Sequence, residues 1–263
     1  MSRINTSISV DIANPGQFFA CCGLFELTDR KCPHANVHAY FEHNRFVIMA
    51  ADPACSPCTL LGDFAAAQCD QLDPEDKTTS PLRLLKPFHL RLDWWQSAAR
   101  DGGGNLKTWA GQQSAPLIFR LMKQATARAA LAESPLDYSE AVFDTKNGKT
   151  SQKTISPFYF DCRRAGTSLD FGFSPDEQNM SVDAYPAVES LAMVGLQRFR
   201  PQTDEKTRPR SFVYTAWAEP LPVIVAAAAA CGILQVRSCG SFRFTKPSRG
   251  GEYVTMFSRA TRE

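Results

Sequence analysis

The chain has 263 residues, of which 44% are hydrophobic and 21% charged, so it can bury an ordinary core and most of it is not intrinsically disordered. Its net charge of +2 is too near neutrality to indicate a nucleic-acid-binding protein by itself. The charge is uneven, however, because residues 197–263 hold 11 Lys and Arg against 5 Asp and Glu, whereas residues 1–196 hold 18 against 22.

Targeting signals and cysteine usage both favour the cytoplasm. The opening residues lack the apolar stretch and the cleavage site of a signal peptide. The longest apolar run, residues 221–234, is shorter than the roughly 20 residues that cross a bilayer. The nine cysteines are odd in number and are scattered without the spacing of a disulfide framework. We therefore expect a cytoplasmic protein without a membrane segment, whose cysteines are mostly small buried residues.

Residues 1–95 predict a β-α-β-β-α-β order, which is that of a ferredoxin-like unit. The first helix has a clear start signal, with Asn14 as N-cap, Pro15 at the first helical position and Gln17 at the third. Alternation and helical spacing predict the other elements. In chain order they are a strand at 6–12, a helix from Asn14, strands at 37–41 and 45–49, a helix at 59–69 and a strand at 84–92.

Residues 96–263 predict a second α+β unit with basic loops. Its elements are a glycine-rich loop at 101–105, a helix with Ile118, Leu121, Met122, Ala125 and Ala129 on one face, an exposed loop at 144–154, strands at 158–162 and 168–173, a helix at 186–197, a strand at 211–217, an apolar helix closed by Gly232, and strands at 241–244 and 253–257. The predicted fold class is α+β, with mixed antiparallel sheets and packed helices.

The common catalytic and metal-binding motifs are incomplete. Gly148-Lys149-Thr150 resembles the end of a P-loop, but Phe143 occupies the place of the required first glycine. Cys55 and Cys58 form a CxxC pair with Cys32, His34, His38 and His43 upstream, yet a second pair, as in a zinc ribbon, is missing, and the histidines on and beside the predicted hairpin can simply be solvated. No GxSxG nucleophile elbow occurs. We therefore expect no catalytic residues, no cofactor and no metal.

Three polar segments carry groups that suit nucleic-acid contact. The glycine-rich segment, residues 102–113, combines a cation, an aromatic ring and two amides, although its tryptophan is equally suited to the core. The lysine segment, residues 144–154, has no apolar residue, and the arginine segment, residues 198–210, is the densest cationic stretch. For both, simple solvation stays open. The candidate residues are Lys107, Trp109, Gln112, Gln113, Lys146, Asn147, Lys149, Lys153, Arg198, Arg200, Arg208 and Arg210.

Four longer blocks, all between Ile8 and Pro222, resemble one protein family. They are ISVDIANPGQFFACCGLFEL, LDWW followed by LKTWAGQQS, YPAVESLAMVGLQRFRP, and FVYTAWAEPLP. Together they resemble the small version of the large subunit of type I-G (formerly I-U) CRISPR surveillance complexes. No motif-reading residue is carried over from the family.

The resemblance implies a non-catalytic DNA-sensing subunit of a crRNA-guided Cascade complex, which recognises the protospacer-adjacent motif and supports R-loop formation. The implied partners are crRNA, target double-stranded DNA, backbone and Cas5- and Cas6-type subunits, and a recruited Cas3-type helicase-nuclease. Two alternatives stay open. One is an RNA-binding structural subunit of the same kind of complex, which the ferredoxin-like order favours, and the other is a metal-dependent nuclease.

Overall fold

The computed structural model describes residues 4–52, 55–96, 104–108, 113–146, 149–164, 183–203, 210–246, 248–249, 252–253 and 256–263. Its helices are α1 (Pro15–Lys31), α2 (Pro57–Ala66), α3 (Ala115–Ala129), α4 (Pro186–Gly195) and α5 (Val223–Ala230), with a 3-10 turn at Cys162–Arg164. Its strands are β1 (Ile4–Ser9), β2 (His38–Glu42), β3 (Arg45–Ala50), β4 (Cys69–Gln71), β5 (Leu82–Leu84), β6 (Leu90–Leu92), β7 (Phe143–Lys146), β8 (Lys149–Thr154), β9 (Gln202–Thr203), β10 (Ser211–Trp217), β11 (Leu221–Pro222), β12 (Ser238–Thr245), β13 (Ser248–Arg249), β14 (Glu252–Tyr253) and β15 (Thr261–Arg262). The predicted α+β class is confirmed.

Two four-stranded antiparallel sheets form the framework of the described residues. One has the strand order β1-β3-β2-β11 and the other the order β15-β12-β10-β9. Trp217 on β10 donates its indole N–H to the carbonyl of Ala39 on β2, at 2.6 Å, and so ties the two sheets together. Because the buried apolar side chains form one continuous cluster, residues from both sides of residue 95 share a core.

Helix α1 lies in the middle of this core. Asn14 is its N-cap, as predicted, and accepts the Gly16 N–H at 3.1 Å. The Gln17 side chain accepts the N–H of Asp11, at 2.6 Å, and not the N–H of Asn14. The side chain that was predicted to complete a capping box therefore binds the backbone three residues before the N-cap. Every residue from Pro15 to Thr28 is buried. A helix buried on all faces needs neighbours on all sides, and here it is packed by the sheets and by α4.

Helices α1 and α4 touch through their backbones. A methyl group added to Gly23 would lie 2.0 Å from the carbonyl oxygen of Leu191, and one added to Gly195 would lie 2.0 Å from the carbonyl oxygen of Phe19. Real side chains do not approach backbone oxygen atoms so closely. The absence of side chains at Gly23 and Gly195 therefore sets the distance between the two helices.

The predicted strand at 84–92 is wrong. Residues 82–92 instead contain two short strands, β5 and β6, which pair with each other, and β5 also pairs with β4 in a separate three-stranded sheet. The chain turns between them because the N–H groups of Phe88 and His89 both donate to the carbonyl of Leu85, and Pro87 has no N–H to offer a sheet. The fourth strand beside β1, β3 and β2 is β11, so residues 84–92 do not complete a ferredoxin-like sheet.

The lysine segment was expected to be a loop, but its described residues form a hairpin. Strands β7 and β8 pair in a register that sets Lys146 opposite Lys149, which leaves a two-residue connection. Asn-Gly, the dipeptide at that place in the sequence, is the strongest short hairpin signal. Polar composition argued against a buried strand, yet it does not prevent two polar strands from pairing with each other.

The predicted strand at 158–162 is also wrong, because backbone N–H groups of this segment donate to a side chain and not to a neighbouring strand. Glu189, fully buried on α4, accepts the N–H groups of Phe160 at 3.3 Å and Asp161 at 3.1 Å. Asn14 donates to the buried Asp161 carboxylate at 2.9 Å. These bonds hold the segment against the starts of α1 and α4 without a partner strand, and Tyr159 within it has a φ angle of +63°, which is not that of a strand. The predicted strand at 168–173 lies outside the described residues. Of the described residues in the predicted strand at 253–257, Tyr253 belongs to a strand and Met256 and Phe257 do not.

Close contact between α1 and α4 predicts opposite effects for two glycine-to-alanine changes. Gly195→Ala should lower the free energy of unfolding by about 3 kcal/mol or more, at the upper end of overpacking effects. Gly62→Ala is a matched control, since a methyl group there meets nothing within 4 Å on helix α2. It should stabilise the protein by about 0.5–1 kcal/mol. Urea denaturation measures both, and equal effects would contradict the proposed backbone contact.

Glu189 predicts a pH dependence of stability. Burial, together with the nearby Asp161 carboxylate, raises the pKa of Glu189 from its ordinary 4.5 to about 8. Because the folded pKa is the higher one, the contribution of Glu189 to stability is full below about pH 4.5 and is lost as the pH rises through 8. Denaturation between pH 5 and about 8.5 should show this decline in the wild type, and a clearly flatter profile in Glu189→Gln. Parallel profiles would assign the decline to other groups.

Candidate nucleic-acid interface

Lys246 and Arg210 lie side by side at one end of the second sheet. The pairing of β10 with β12 sets Ser211 opposite Thr245, and the Lys246 N–H donates to the carbonyl of Arg210 at 3.0 Å. Arg210 has a φ angle of +65°, in the left-handed region that costs a residue with a side chain about 1–2 kcal/mol. The sheet register therefore places two cations next to each other.

The side chain of Lys246 is largely surrounded by protein. Its Nζ donates to Oε1 of Gln96 at 2.9 Å and lies 5.4 Å from the ring centre of Trp94 and 5.7 Å from that of Trp95. Burial, together with the positive charges of Lys107 and Arg210, lowers the pKa of Lys246 to about 8. An ammonium group held among like charges is favoured by a bound anion.

Lys107 reaches the same place from the glycine-rich segment. Two backbone bonds anchor this segment, one from the Trp94 N–H to the carbonyl of Gly104 at 3.1 Å and one from the Leu106 N–H to the carbonyl of Thr79 at 2.7 Å. Leu106 is fully buried whereas Lys107 is exposed, so the side chains alternate between the core and solvent. We call Lys107, Arg210 and Lys246 the basic cluster.

Trp94 and Trp95 support the cluster from inside. Both rings are at most 2% exposed, and Trp95 packs on Phe212 of β10 with ring centres 5.1 Å apart. Within the described ranges, the indole N–H groups of both tryptophans have no hydrogen-bond partner, and the same is true of the half-buried Gln113 side-chain oxygen. The two rings therefore pack against the Lys246 side chain from inside the protein. Their burial prevents them from stacking on a base.

The three described arginines of the arginine segment, Arg198, Arg200 and Arg210, have different surroundings. Arg198 forms an ion pair with the buried Glu26, with 2.5 Å between Nε and Oε2, and the same carboxylate binds Arg30. A buried carboxylate needs such partners, so Arg198 has a structural role where a phosphate contact was expected. Arg200 is half-buried beside Cys231, and Arg210 is the one of these three described arginines that joins the basic cluster.

Several predicted residues cannot be assigned a position in the site. Trp109, Gln112, Asn147 and Arg208 lie outside the described residues. For the lysine segment the structure gives the backbone of the hairpin, which contains Lys146, Lys149 and Lys153. Sequence reasoning missed Lys246, and the available signal was positional, because Lys246 lies two residues after one predicted strand and Arg210 directly precedes another.

Comparison with family models, with curated proteins and with solved structures finds no match to this chain. Among the helices of the described ranges, none is both long and apolar enough to span a membrane. The interpretation of the site therefore depends on its own chemistry and on the resemblance of the four sequence blocks.

The lowered pKa of Lys246 predicts that stability changes with pH. The unfolded chain keeps the lysine proton up to about pH 10.5, whereas the folded chain releases it near pH 8. Unfolding therefore takes up a proton in this interval, and stability should rise with pH between 8 and 10.5. In Lys246→Met this rise should be smaller, while Lys77→Met, which changes an exposed lysine, should keep the wild-type slope. Identical slopes in all three proteins would contradict the burial of Lys246.

Proposed function

We propose that this protein is a non-catalytic, DNA-sensing subunit of a crRNA-guided type I CRISPR surveillance complex, and that the basic cluster contacts the phosphates beside the protospacer-adjacent motif. The single observation that carries the proposal is the convergence of Lys107, Arg210 and Lys246 on one place. Three cations, one of them largely desolvated, give a site for the backbone of a nucleic acid.

The cluster also brings together blocks on which the family resemblance depends. Trp94 and Trp95 belong to the LDWW block, Lys107 to the LKTWAGQQS block, and Arg210 lies two residues before the FVYTAWAEPLP block. The remaining two blocks contribute α1 and α4, whose packing forms the core. This division, in which some blocks build the fold and others meet at a cationic surface, favours nucleic-acid binding as the shared property.

Specific reading of the motif requires amides as well as charge. Gln113 lies next to Ser114, the N-cap of α3, and its half-buried side chain is of the type that pairs with the edge of adenine. In RNA-guided recognition, base pairing supplies most of the specificity, and the protein has only to read a short duplex motif and hold the backbone. In this proposal the basic cluster holds the backbone and the Gln113 amide reads the motif.

The proposal is tested by DNA binding of assembled complexes. Lys107→Ala and Lys246→Met should weaken binding to targets with correct and incorrect motifs alike, and each should reduce the salt dependence by about 0.9 per lost phosphate contact. Gln113→Ala should cost about 1–3 kcal/mol on the correct motif and little on an incorrect one. Arg83→Ala, an exposed arginine on β5, is the charge-matched control.

Three outcomes would redirect the interpretation. Unchanged affinity and salt dependence in the lysine variants would remove the basic cluster from the interface. A preference of the isolated protein for crRNA over duplex DNA would favour the RNA-binding structural subunit. Metal-stimulated cleavage of DNA by the isolated protein would favour the nuclease.

A further inference from the structure

Cys32, Asp52 and Cys55 form a compact group of metal-ligand atoms on the amino-terminal side of α2. The two sulfur atoms and a carboxylate oxygen all lie within 4.8 Å of one another. The cysteines are 8% and 3% exposed and their thiols are in hydrogen-bonding contact, whereas Asp52 is exposed. The group takes no part in the basic cluster.

Backbone hydrogen bonds hold the three residues in place. The carbonyl of Cys32 accepts the Ala35 N–H at 3.0 Å, and the carbonyl of Ala35 accepts the Ala51 N–H at 3.1 Å. The Cys55 N–H donates to the carbonyl of Asp52 at 3.1 Å. These bonds therefore connect the C-terminal end of α1, the segment after β3 and the residues just before α2 before any ligand binds.

We propose that Cys32, Asp52 and Cys55 bind a zinc-type divalent cation, with water in the fourth position. Zinc prefers four ligands, of which thiolate sulfur lies at about 2.3 Å and carboxylate oxygen at about 2.0–2.2 Å, and tetrahedral angles then separate the ligand atoms by about 3.5–3.8 Å. The present separations need to contract by only about 1 Å to reach these values. The exposed Asp52 gives the ion a path from solvent, and water can complete the shell on that side.

The ligand set differs from the CxxC pair that the sequence presents. Cys58 is exposed in the first turn of α2 and does not belong to the group, whereas Cys55 turns inward to Cys32. Lys31, the neighbour of Cys32, forms an ion pair with Asp63 at 2.5 Å, so its charge is balanced by that carboxylate. The sequence pair therefore supplies one ligand, and a residue 23 positions before Cys55 supplies the second sulfur.

Cobalt is a suitable spectroscopic probe, because thiolate ligands give Co²⁺ an intense charge-transfer absorption. Titration of the reduced full-length protein with Co²⁺ should produce this absorption with about one ion per chain, and Zn²⁺ should displace it. Zn²⁺ should also raise the midpoint of thermal unfolding, since the ion binds the folded chain preferentially.

The cysteine variants provide matched controls. Cys58→Ser should keep the absorption and the thermal shift, whereas Cys32→Ser and Cys55→Ser should lose both. Because these buried changes also affect folding, Asp52→Asn supplies a second test at an exposed position. It should weaken Co²⁺ binding about tenfold or more, since even outer-shell partners of a metal contribute about 10- to 100-fold.

The proposal is overturned if Co²⁺ gives no thiolate absorption, or if Cys58→Ser abolishes it and Cys32→Ser does not. It is also overturned if the reduced protein gains no stability with Zn²⁺ while mass spectrometry of the oxidised protein finds Cys32 joined to Cys55, because the pair is then a disulfide site instead of a metal site. None of these measurements depends on the proposed function in DNA recognition.

Discussion

The direct contact between the backbones of α1 and α4 is the constraint on which the rest of the structure depends. It requires glycine at positions 23 and 195, and it brings Glu189 on α4 within reach of the segment that precedes the 3-10 turn. A methyl group on Gly16 would lie 2.4 Å from the carbonyl of Phe160, so the same close packing continues to the start of α1. Larger residues at these positions would separate the helices, and the buried carboxylate would lose its backbone donors.

The basic cluster has a different origin, since it follows from the register of a sheet. Moving β12 by one residue against β10 would turn the side chains of β12 to the opposite face of the sheet and would change the pairing that places Lys246 next to Arg210. The fold does not benefit from placing a desolvated ammonium group beside two other cations. A feature that opposes stability and is nevertheless built by well-packed strands is typical of a binding site.

The sequence correctly predicted those elements whose formation depends on residues close to one another in the chain. Asn14 and Pro15 identified the start of α1, and the run at 211–217 identified β10, because caps and alternation act within a few residues. The segment at 158–162 failed because its hydrogen-bond partner is a side chain nearly 30 residues later. Lys246 was missed for the same reason, since only the pairing of two distant strands shows that it meets Arg210. The hairpin in the lysine segment is the exception, because its Asn-Gly signal is local and polar composition outweighed it.

The burial of α1 on every face also bears on the order of events during synthesis. Its main packing partner, α4, is synthesised more than 150 residues after α1. Until then, the face of α1 that packs on α4 has no native cover, and the contacts that bury this face join residues far apart in the sequence. Proteins with such long-range contacts fold slowly and expose aggregation-prone apolar surface while they fold. Expression at low temperature or with a holdase chaperone should therefore matter more for this chain than its ordinary size suggests.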